Sequence, residues 1–428
     1  MNTTPTLAAT VCALVLVSAT GLPAQQLGAD PSDRVVAIGD IHGDFEAFVS
    51  ILQTAGLVND RNRWIGGAAT LVQTGDFTDR GSEVRAVMDL LMSLEAQAES
   101  AGGRVEVLLG NHEVMNLMRD VRDVNPQVYA SFIDGESEAR RKTAFRAYRR
   151  LRMSRLSASI TASDLRQQED DWMAAHPPGF LEYQEALGLR GHYGRWLRAK
   201  PVAIQLDDTI FLHAGISPEL ADLSLEDINE RVWRELEAFD AYQRELVARK
   251  LTLPFFTFEE ILMTVQTVLY PPGAQPPAVL ERVLSIGGWF TVHPGGPLWF
   301  RGYATWPDDE GTAHIVRLLD RYEAARFVVG HTVPTTKRIT SRLEDKVFLI
   351  DTGMLASHYR GRASALEIHG EQLIAIYAET RMASWEPAVA STVDFPAVSL
   401  SSRREVGPEG IVDRVDPRKD SQAVSPCS

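Results

Sequence analysis

An α/β fold with helical insertions is the architecture this chain predicts, on three observations. Short apolar runs alternate with helix-patterned stretches near the N-terminus, each of those runs ends in a glycine-led polar turn, and two long helix-patterned blocks separate the strand-like runs that follow. Val35–Ile38 is uninterrupted apolar, the pattern of a strand covered on both faces, and it runs into Gly39-Asp40-Ile41-His42-Gly43. Asp44–Ala55 follows as a helix. The next apolar run, Ala69–Thr74, leads into Gly75-Asp76-Phe77-Thr78-Asp79-Arg80-Gly81, and helix Ser82–Ser100 comes after it. A third run, Val105–Leu109, leads into Gly110-Asn111-His112-Glu113. These are the parts of a βαβαβ unit, with each polar motif at a strand's end, where the three can converge on one rim of a sheet.

Met115–Lys200 then reads as a long helical stretch, with a turn signal at Pro177-Pro178-Gly179. Strands return within Val202–Ile216. A second helical block, Leu225–Ser285, is broken at Pro254 and at Pro271-Pro272-Gly273. Strands Phe327–Val329, Val347–Ile350, Ala365–Ile368 and Gln372–Tyr377 complete the pattern, and no internal repeat is present. The expected organisation is a catalytic domain over 25–380 with helical insertions at about 116–200 and 225–285. Both insertions fall between motifs, so they are expected to fold back near the site as a cap or wall that selects substrates. From 381 to 428 the composition is polar and proline-rich, and this tail is expected to be disordered and to carry no chemistry.

At 428 residues the chain exceeds the usual single domain, and 45% hydrophobic residues fit a globular protein. A net charge of −14 disfavours non-specific nucleic-acid binding, so no nucleic-acid partner is expected. Thr6–Ala19 is almost wholly apolar but shorter than the roughly 20 residues a membrane-spanning helix needs. Residues 1–24 are therefore expected to be a signal peptide, cleaved near Ala19 or Ala24, giving a periplasmic or secreted protein without stable membrane insertion. Of the two cysteines, Cys12 lies in that segment and Cys427 near the end, so the mature chain has no intramolecular disulfide to form.

Between them the motifs offer Asp40, His42, Asp76 and Asn111 as metal ligands, with His112, Asp79 and Arg80 to spare. Two divalent cations roughly 3.5–4 Å apart would activate a water and clamp a phosphate, and a bridging carboxylate is the simplest means of holding them that close. Asp76 is the candidate bridge, with Asp40 and His42 on one ion and Asn111 on the second. Two later histidines, His213 after Thr209–Leu212 and His331 after Phe327–Gly330, end strand-like runs and complete the candidate set. Carboxylate, imidazole and amide oxygen without thiolate suit manganese, iron or zinc. His112 is the candidate general acid, oriented by Asp79. Arg80 suits bidentate phosphate binding. Arg301, within Pro297-Leu298-Trp299-Phe300-Arg301-Gly302, is either a second phosphate arginine or a cation stacked on Trp299.

On these motifs the chain resembles the phosphoprotein phosphatase family of binuclear metallophosphatases, and within it the bacterial Shewanella-like protein phosphatase subgroup. The narrower likeness rests on Val114-Met115-Asn116-Leu117, Tyr193–Arg198, Gly296–Arg301, Gly330-His331-Thr332 and Ile350–Met354, and the resemblance spans about Val35 to Ala378. It implies a four-layer αββα metallophosphoesterase sandwich with helical insertions, two divalent metal ions (manganese foremost), and direct attack by a metal-bridging hydroxide without a phosphoenzyme. It places the ligands on Asp40, His42, Asp76, Asn111, His213 and His331, the acid on His112, its orienting carboxylate on Asp79, and the phosphate arginines on Arg80 and Arg301. Two features depart from the family pattern. Ala214-Gly215 stands where two glycines are commoner, and the active-site tyrosine of the eukaryotic Ser/Thr phosphatases finds no clear counterpart, the loop Asp351–Tyr359 lying in that neighbourhood instead. The intact Asp79-Arg80 pair argues against the diadenosine tetraphosphate hydrolase branch.

The expected activity is hydrolysis of phosphomonoesters, on phosphoproteins or phosphopeptides carrying phosphotyrosine, phosphoserine or phosphothreonine. The alternative is an exported broad-specificity phosphatase for small phosphate esters or nucleotides. Glu136–Arg155 holds Arg140, Arg141, Arg146, Arg149, Arg150, Arg152 and Arg155, which is either a solvated helix face or a docking surface for acidic phosphopeptides.

Overall fold

The computed structural model of the chain describes residues 34–154, 162–269, 277–378 and 380–381. The expected leader lies outside them, as does the expected tail beyond Arg381.

Strand β1 (Arg34–Ile38), helix α1 (Phe45–Thr54), β2 (Thr70–Gln73), α2 (Val84–Ser100) and β3 (Arg104–Val107) follow the predicted βαβαβ order. The three strands are parallel, with Val35 opposite Thr70 and Thr70 opposite Arg104. Asp44 caps α1 by accepting from the Ala47 N–H at 3.0 Å. In α2 the buried residues Val84, Val87, Met88, Leu91, Leu94 and Ala98 recur every three or four positions, forming the stripe that a helix presses onto a sheet.

The third motif opens α3 (Asn111–Leu117), and the first insertion continues from it as α4 (Pro126–Ala130), α5 (Ser137–Met153), α6 (Ala162–Ala175), α7 (Phe180–Ala186) and α8 (His192–Arg198). The predicted strand region Val202–Ile216 is a hairpin, β4 (Ala203–Leu206) and β5 (Thr209–Leu212). The turn between them is carried by Asp207, a residue type that tolerates its φ of 49°. The second insertion comprises α9 (Leu225–Ala248), α10 (Phe258–Leu269) and α11 (Ala278–Leu284), with the predicted break at Pro254 between α9 and α10, while Pro271-Pro272-Gly273 lies outside the described residues. After α12 (Gly302–Thr305) come α13 (Asp308–Tyr322), β6 (Arg326–Val329), β7 (Thr340–Arg342) and β8 (Val347–Leu349). Then follow α14 (Ala356–Tyr359), β9 (Ser364–His369), β10 (Gln372–Tyr377) and β11 (Thr380–Arg381). Helix α13 and strand β7 were not anticipated from sequence.

The strands form two sheets, ordered β11-β10-β9-β1-β2-β3 and β4-β5-β6-β8-β7. One apolar cluster takes Ala37, Val72, Leu366 and Ile368 from the first sheet and Phe211, Val328 and Phe348 from the second, so the sheets face each other. The alternate residues Val36, Ile38 and Leu71, and Ile210, Leu212, Phe327 and Val329, belong instead to the larger core that contains the helices. Strands buried on both faces explain the continuous apolar runs in the sequence. The layering is helices, sheet, sheet, helices.

Candidate metal centre

The parallel strands put their C-terminal ends, and the loops beyond them, on one rim. β1 delivers Asp40 and His42, β2 Asp76, Asp79 and Arg80, and β3 Asn111 and His112; in the second sheet β5 delivers His213, β6 His331 and β8 Asp351. Contacts across the rim tie the two sheets together. The His331 N–H donates to Asp40 Oδ1 at 3.0 Å, and His213 Nδ1 donates to the Thr74 carbonyl at 3.0 Å.

Each of these contacts spends one polar atom of a side chain and leaves the other aimed inward. His42 Nδ1 donates to the Thr78 carbonyl at 2.9 Å, which fixes Nε2 as a lone pair. That lone pair lies 3.9 Å from both Asp40 Oδ2 and Asp76 Oδ2. Asp76 Oδ1 accepts from the His112 N–H at 3.0 Å, leaving Oδ2 3.2 Å from His213 Nε2. His213 Nε2 also faces Asn111 Oδ1 at 3.0 Å and His331 Nδ1 at 3.1 Å. With Nδ1 committed to Thr74, a neutral His213 presents Nε2 to these groups as a lone pair. One tautomer of His331 leaves its buried Nε2 an orphaned acceptor, and the other sets two lone pairs against each other. Buried acceptors pointed at one another are expensive unless a cation lies among them. The donor set therefore fits divalent metal. Ligand atoms of His42, Asp76 and His112 lie within 4.8 Å of one another, as do those of Asp76, His213 and His331, and Asp76 is common to both groups.

The electrostatics agree. Burial, then Asp351 and Asp76, hold the Asp40 carboxyl well above its ordinary range. Burial and Asp76 likewise push Asp351 up to about 6. Asp76 is held well below its ordinary range despite burial, by His213 and His112. Burial keeps His42 and His331 neutral, far below the usual histidine range, with His112 and His213 respectively adding to the effect. Crowded carboxylates and neutral imidazoles are the protonation pattern that a cation stabilises.

Holding these groups in place bends the backbone. His42, Asp76, Asp79, Arg80 and His331 all sit at positive φ, between 47° and 66°. Each non-glycine residue there costs of order 1–3 kcal/mol, and such residues concentrate at functional sites. Glu113 holds the second motif in this shape. Its buried carboxylate accepts from the N–H groups of Asp76 (2.7 Å), Phe77 (3.0 Å), Thr78 (2.9 Å) and Gly110 (2.8 Å) and from the Thr78 hydroxyl (2.8 Å). The approach is so close that a Cβ on Gly110 would stand 2.2 Å from Asp76 Oδ1, which is why glycine opens the third motif.

His112 Nδ1 donates to Asp79 Oδ2 at 2.7 Å, and its Nε2 lies 3.8 Å from Asp76 Oδ2. Although burial opposes charge on His112, Asp76 and Asp79 raise its pKa to about 9. Arg80 Nη1 reaches His42 Nε2 at 2.9 Å, and its guanidinium lies 5.3 Å from the Tyr359 ring centroid. Arg301 donates to the His331 carbonyl (3.1 Å) and the Thr332 hydroxyl (2.9 Å), beside the second half of the site. It lies over no aromatic ring among the described residues, so stacking on Trp299 is not what holds it.

All ten residues singled out from sequence are thus brought to one rim. Four others were missed in their roles. Glu113 was quoted only as part of a motif. Asp351 follows β8 as Asp40 follows β1, a strand-end signal that could have been used. Asn116 donates to Asp79 Oδ1 at 2.7 Å, a contact with no signal in sequence. Tyr359 ends the loop that the sequence places in the neighbourhood of the family's tyrosine, but it was given no role there. Its hydroxyl lies 3.2 Å from His42 Nε2, with the two rings stacked at 5.6 Å.

Residues 33–334 match the calcineurin-like phosphoesterase family. An uncharacterised Schizosaccharomyces pombe protein is 32% identical over 78% of this chain and 76% of its own length. Shewanella-like protein phosphatase 1 of Plasmodium berghei is 24% identical over 75% of this chain and 67% of its own. Among solved structures, the cold-active protein-tyrosine phosphatase of a psychrophilic Shewanella shares the fold, with a TM-score of 0.54, 23% identity, and coverage of 83% of this chain and 80% of that one.

Proposed function

Since this chain belongs to the calcineurin-like phosphoesterase family and is a metal-dependent phosphoesterase, we propose that it is a phosphatase acting on phosphoproteins or phosphopeptides at Tyr, Ser or Thr. The observation that carries the reading is the convergence of Asp40, His42, Asn111, His213 and His331 with Asp76, and of His112, hydrogen-bonded to Asp79, beside them. Asp40, His42, Asp76, Asn111, His213 and His331 would hold two divalent ions, with manganese the first to try. Such ions would supply positive charge to the phosphoryl oxygens and acidity to the attacking water. The chain's own residues do the rest. Arg80 and Arg301 grip the phosphoryl oxygens from opposite halves of the site. Asp79 fixes the tautomer of His112, whose Nε2–H protonates the departing oxygen.

A protein-sized substrate is favoured by the basic helix of the first insertion. Arg140 pairs with Asp134 and Glu182, and Arg141 donates to the His176 carbonyl, so both are already engaged within the chain. Lys142, Arg146, Arg149 and Arg150 instead line a groove with Phe145, Glu169 and Met173. Their spacing puts them on one helix face, and they concentrate positive charge on a chain whose net charge is −14. Among the described residues no helix is long and apolar enough to cross a membrane. Export by the N-terminal segment is part of the proposal, and sequencing the mature N-terminus tests it.

Specificity constants on phosphopeptides should exceed those on nucleotides and sugar phosphates. The reverse order would replace this reading with a scavenging phosphatase for small esters. His112→Asn should keep its metal and lose about 10²–10⁴-fold in turnover on phosphopeptides. Unchanged turnover would remove His112 from the mechanism.

A further inference from the structure

The support behind the acid does not end at Asp79. Asp79 Oδ2 accepts from His112 Nδ1 and Oδ1 accepts from Asn116 Nδ2, both at 2.7 Å. The same amide nitrogen donates to the His112 carbonyl at 2.9 Å. The Asn116 oxygen accepts from the Tyr183 hydroxyl at 2.6 Å. All four residues are buried to within 2% of complete.

The direction of this chain is forced by chemistry. A carboxylate and a backbone carbonyl can only accept, so Asn116 must turn its NH2 toward Asp79 and His112. Its oxygen then faces Tyr183, which must donate. Burial, with Asp79 next in effect, drives the Tyr183 hydroxyl well above the ordinary tyrosine range, so it keeps the proton it donates. A flipped amide would set its oxygen against the Asp79 carboxylate, and the tyrosine hydroxyl is what opposes the flip.

Tyr183 does not belong to the strand-end motifs. It lies in α7, inside the first insertion. Its ring is packed edge-on against Tyr129 (5.4 Å) and Phe132 (5.2 Å), and Glu182 beside it is paired with Arg140 of α5. The insertion thus sends one hydroxyl into the hydrogen-bond chain that ends on His112.

We propose that Tyr183 is a positioning residue for the general acid: through Asn116 it holds Asp79 in the orientation that fixes His112 Nδ1–H and presents Nε2 to the leaving oxygen. The inference rests on His112 being the acid. It gives the insertion a role in the chemical step as well as in shaping the surface. Partially satisfied, such a buried network loosens as a unit.

The test is a leaving-group series of aryl phosphates, from p-nitrophenyl to phenyl, on full-length Tyr183→Phe at metal content equal to the parent. An activated phenolate departs with little protonation, so a misplaced acid is felt mainly by the poor leaving group. Expected is a roughly tenfold fall in kcat on phenyl phosphate, a part of the typical 10²–10⁴-fold acid contribution, with less than about twofold on p-nitrophenyl phosphate and KM unchanged. Asn116→Ala should steepen the series likewise, and the double variant should lose no more than Asn116→Ala alone. Independently of turnover, the low-field proton resonance of His112 Nδ1–H should move or broaden in Tyr183→Phe. Equal losses across the series, additive losses, no loss, or an unmoved His112 resonance would each overturn the proposal. His112→Asn on the same series separates the two levels. A flat series there removes the acid assignment itself, whereas a steep His112→Asn with a flat Tyr183→Phe removes only Tyr183.

Discussion

Glu113 shows at the scale of one residue how the site is held. Its carboxylate answers five donors, four of them backbone N–H groups of the second and third motifs. Burial and Asp76 push its proton affinity up while Thr78 and Gly110 pull it down, and five donated bonds leave no lone pair for a proton. Glu113→Gln would turn an NH2 toward donors in a closed space. Leaving buried donors unmet costs about 1–3 kcal/mol each, so a loss of roughly 2–4 kcal/mol in denaturant unfolding is expected, with weakened metal retention. A variant as stable as the parent would show that the loop shape is set elsewhere. At this scale the sequence was legible where chemistry speaks through residue type: Asp40, His42, Asp76, Asn111, His213 and His331 follow apolar runs and carry ligand atoms. It was silent where a residue acts through a partner far along the chain. Asn116 and Tyr183 are 67 positions apart, Tyr359 and His42 317 apart, and no spacing announces such contacts.

At the scale of elements, the βαβαβ unit was readable because its strands are uninterrupted apolar runs and its helices carry apolar stripes. Helix α13 was missed although Ile315, Leu318 and Leu319 form a buried stripe and Asp308, Asp309 and Glu310 favour its N-terminus. The hairpin β4–β5 was merged into one strand region because a two-residue Asp207-Asp208 turn lacks the glycine that usually marks such turns. Helix α5 supports the protein-substrate reading and can be tested alone. Arg149→Glu combined with Arg150→Glu should lower kcat/KM on an acidic phosphopeptide by about three- to tenfold and weaken its salt dependence. Rates on a small aryl phosphate should not change. Equal effects on both substrates, or none on the peptide, would leave the helix a solvated face.

Over the whole molecule, neither sheet contains a complete site. The first supplies Asp40, His42, Asp76 and Asn111, the second His213 and His331, and the rim closes only when the sheets pack through Ala37, Val72, Phe211, Val328 and Phe348. The four-layer order came from resemblance; what single runs of sequence could not provide was which faces meet. The same packing explains why the candidate ligands, scattered from Asp40 to His331, could hold a metal only together. A pair of cations sharing Asp76 is tested most directly by anomalous diffraction from crystals of active, metal-loaded protein. The account predicts two peaks roughly 3.5–4 Å apart, with Asp76 between them, Asp40 and His42 at one and Asn111, His213 and His331 at the other. A catalytically active crystal with no peak beside Asp76, or with its metal bound away from this rim, would contradict it.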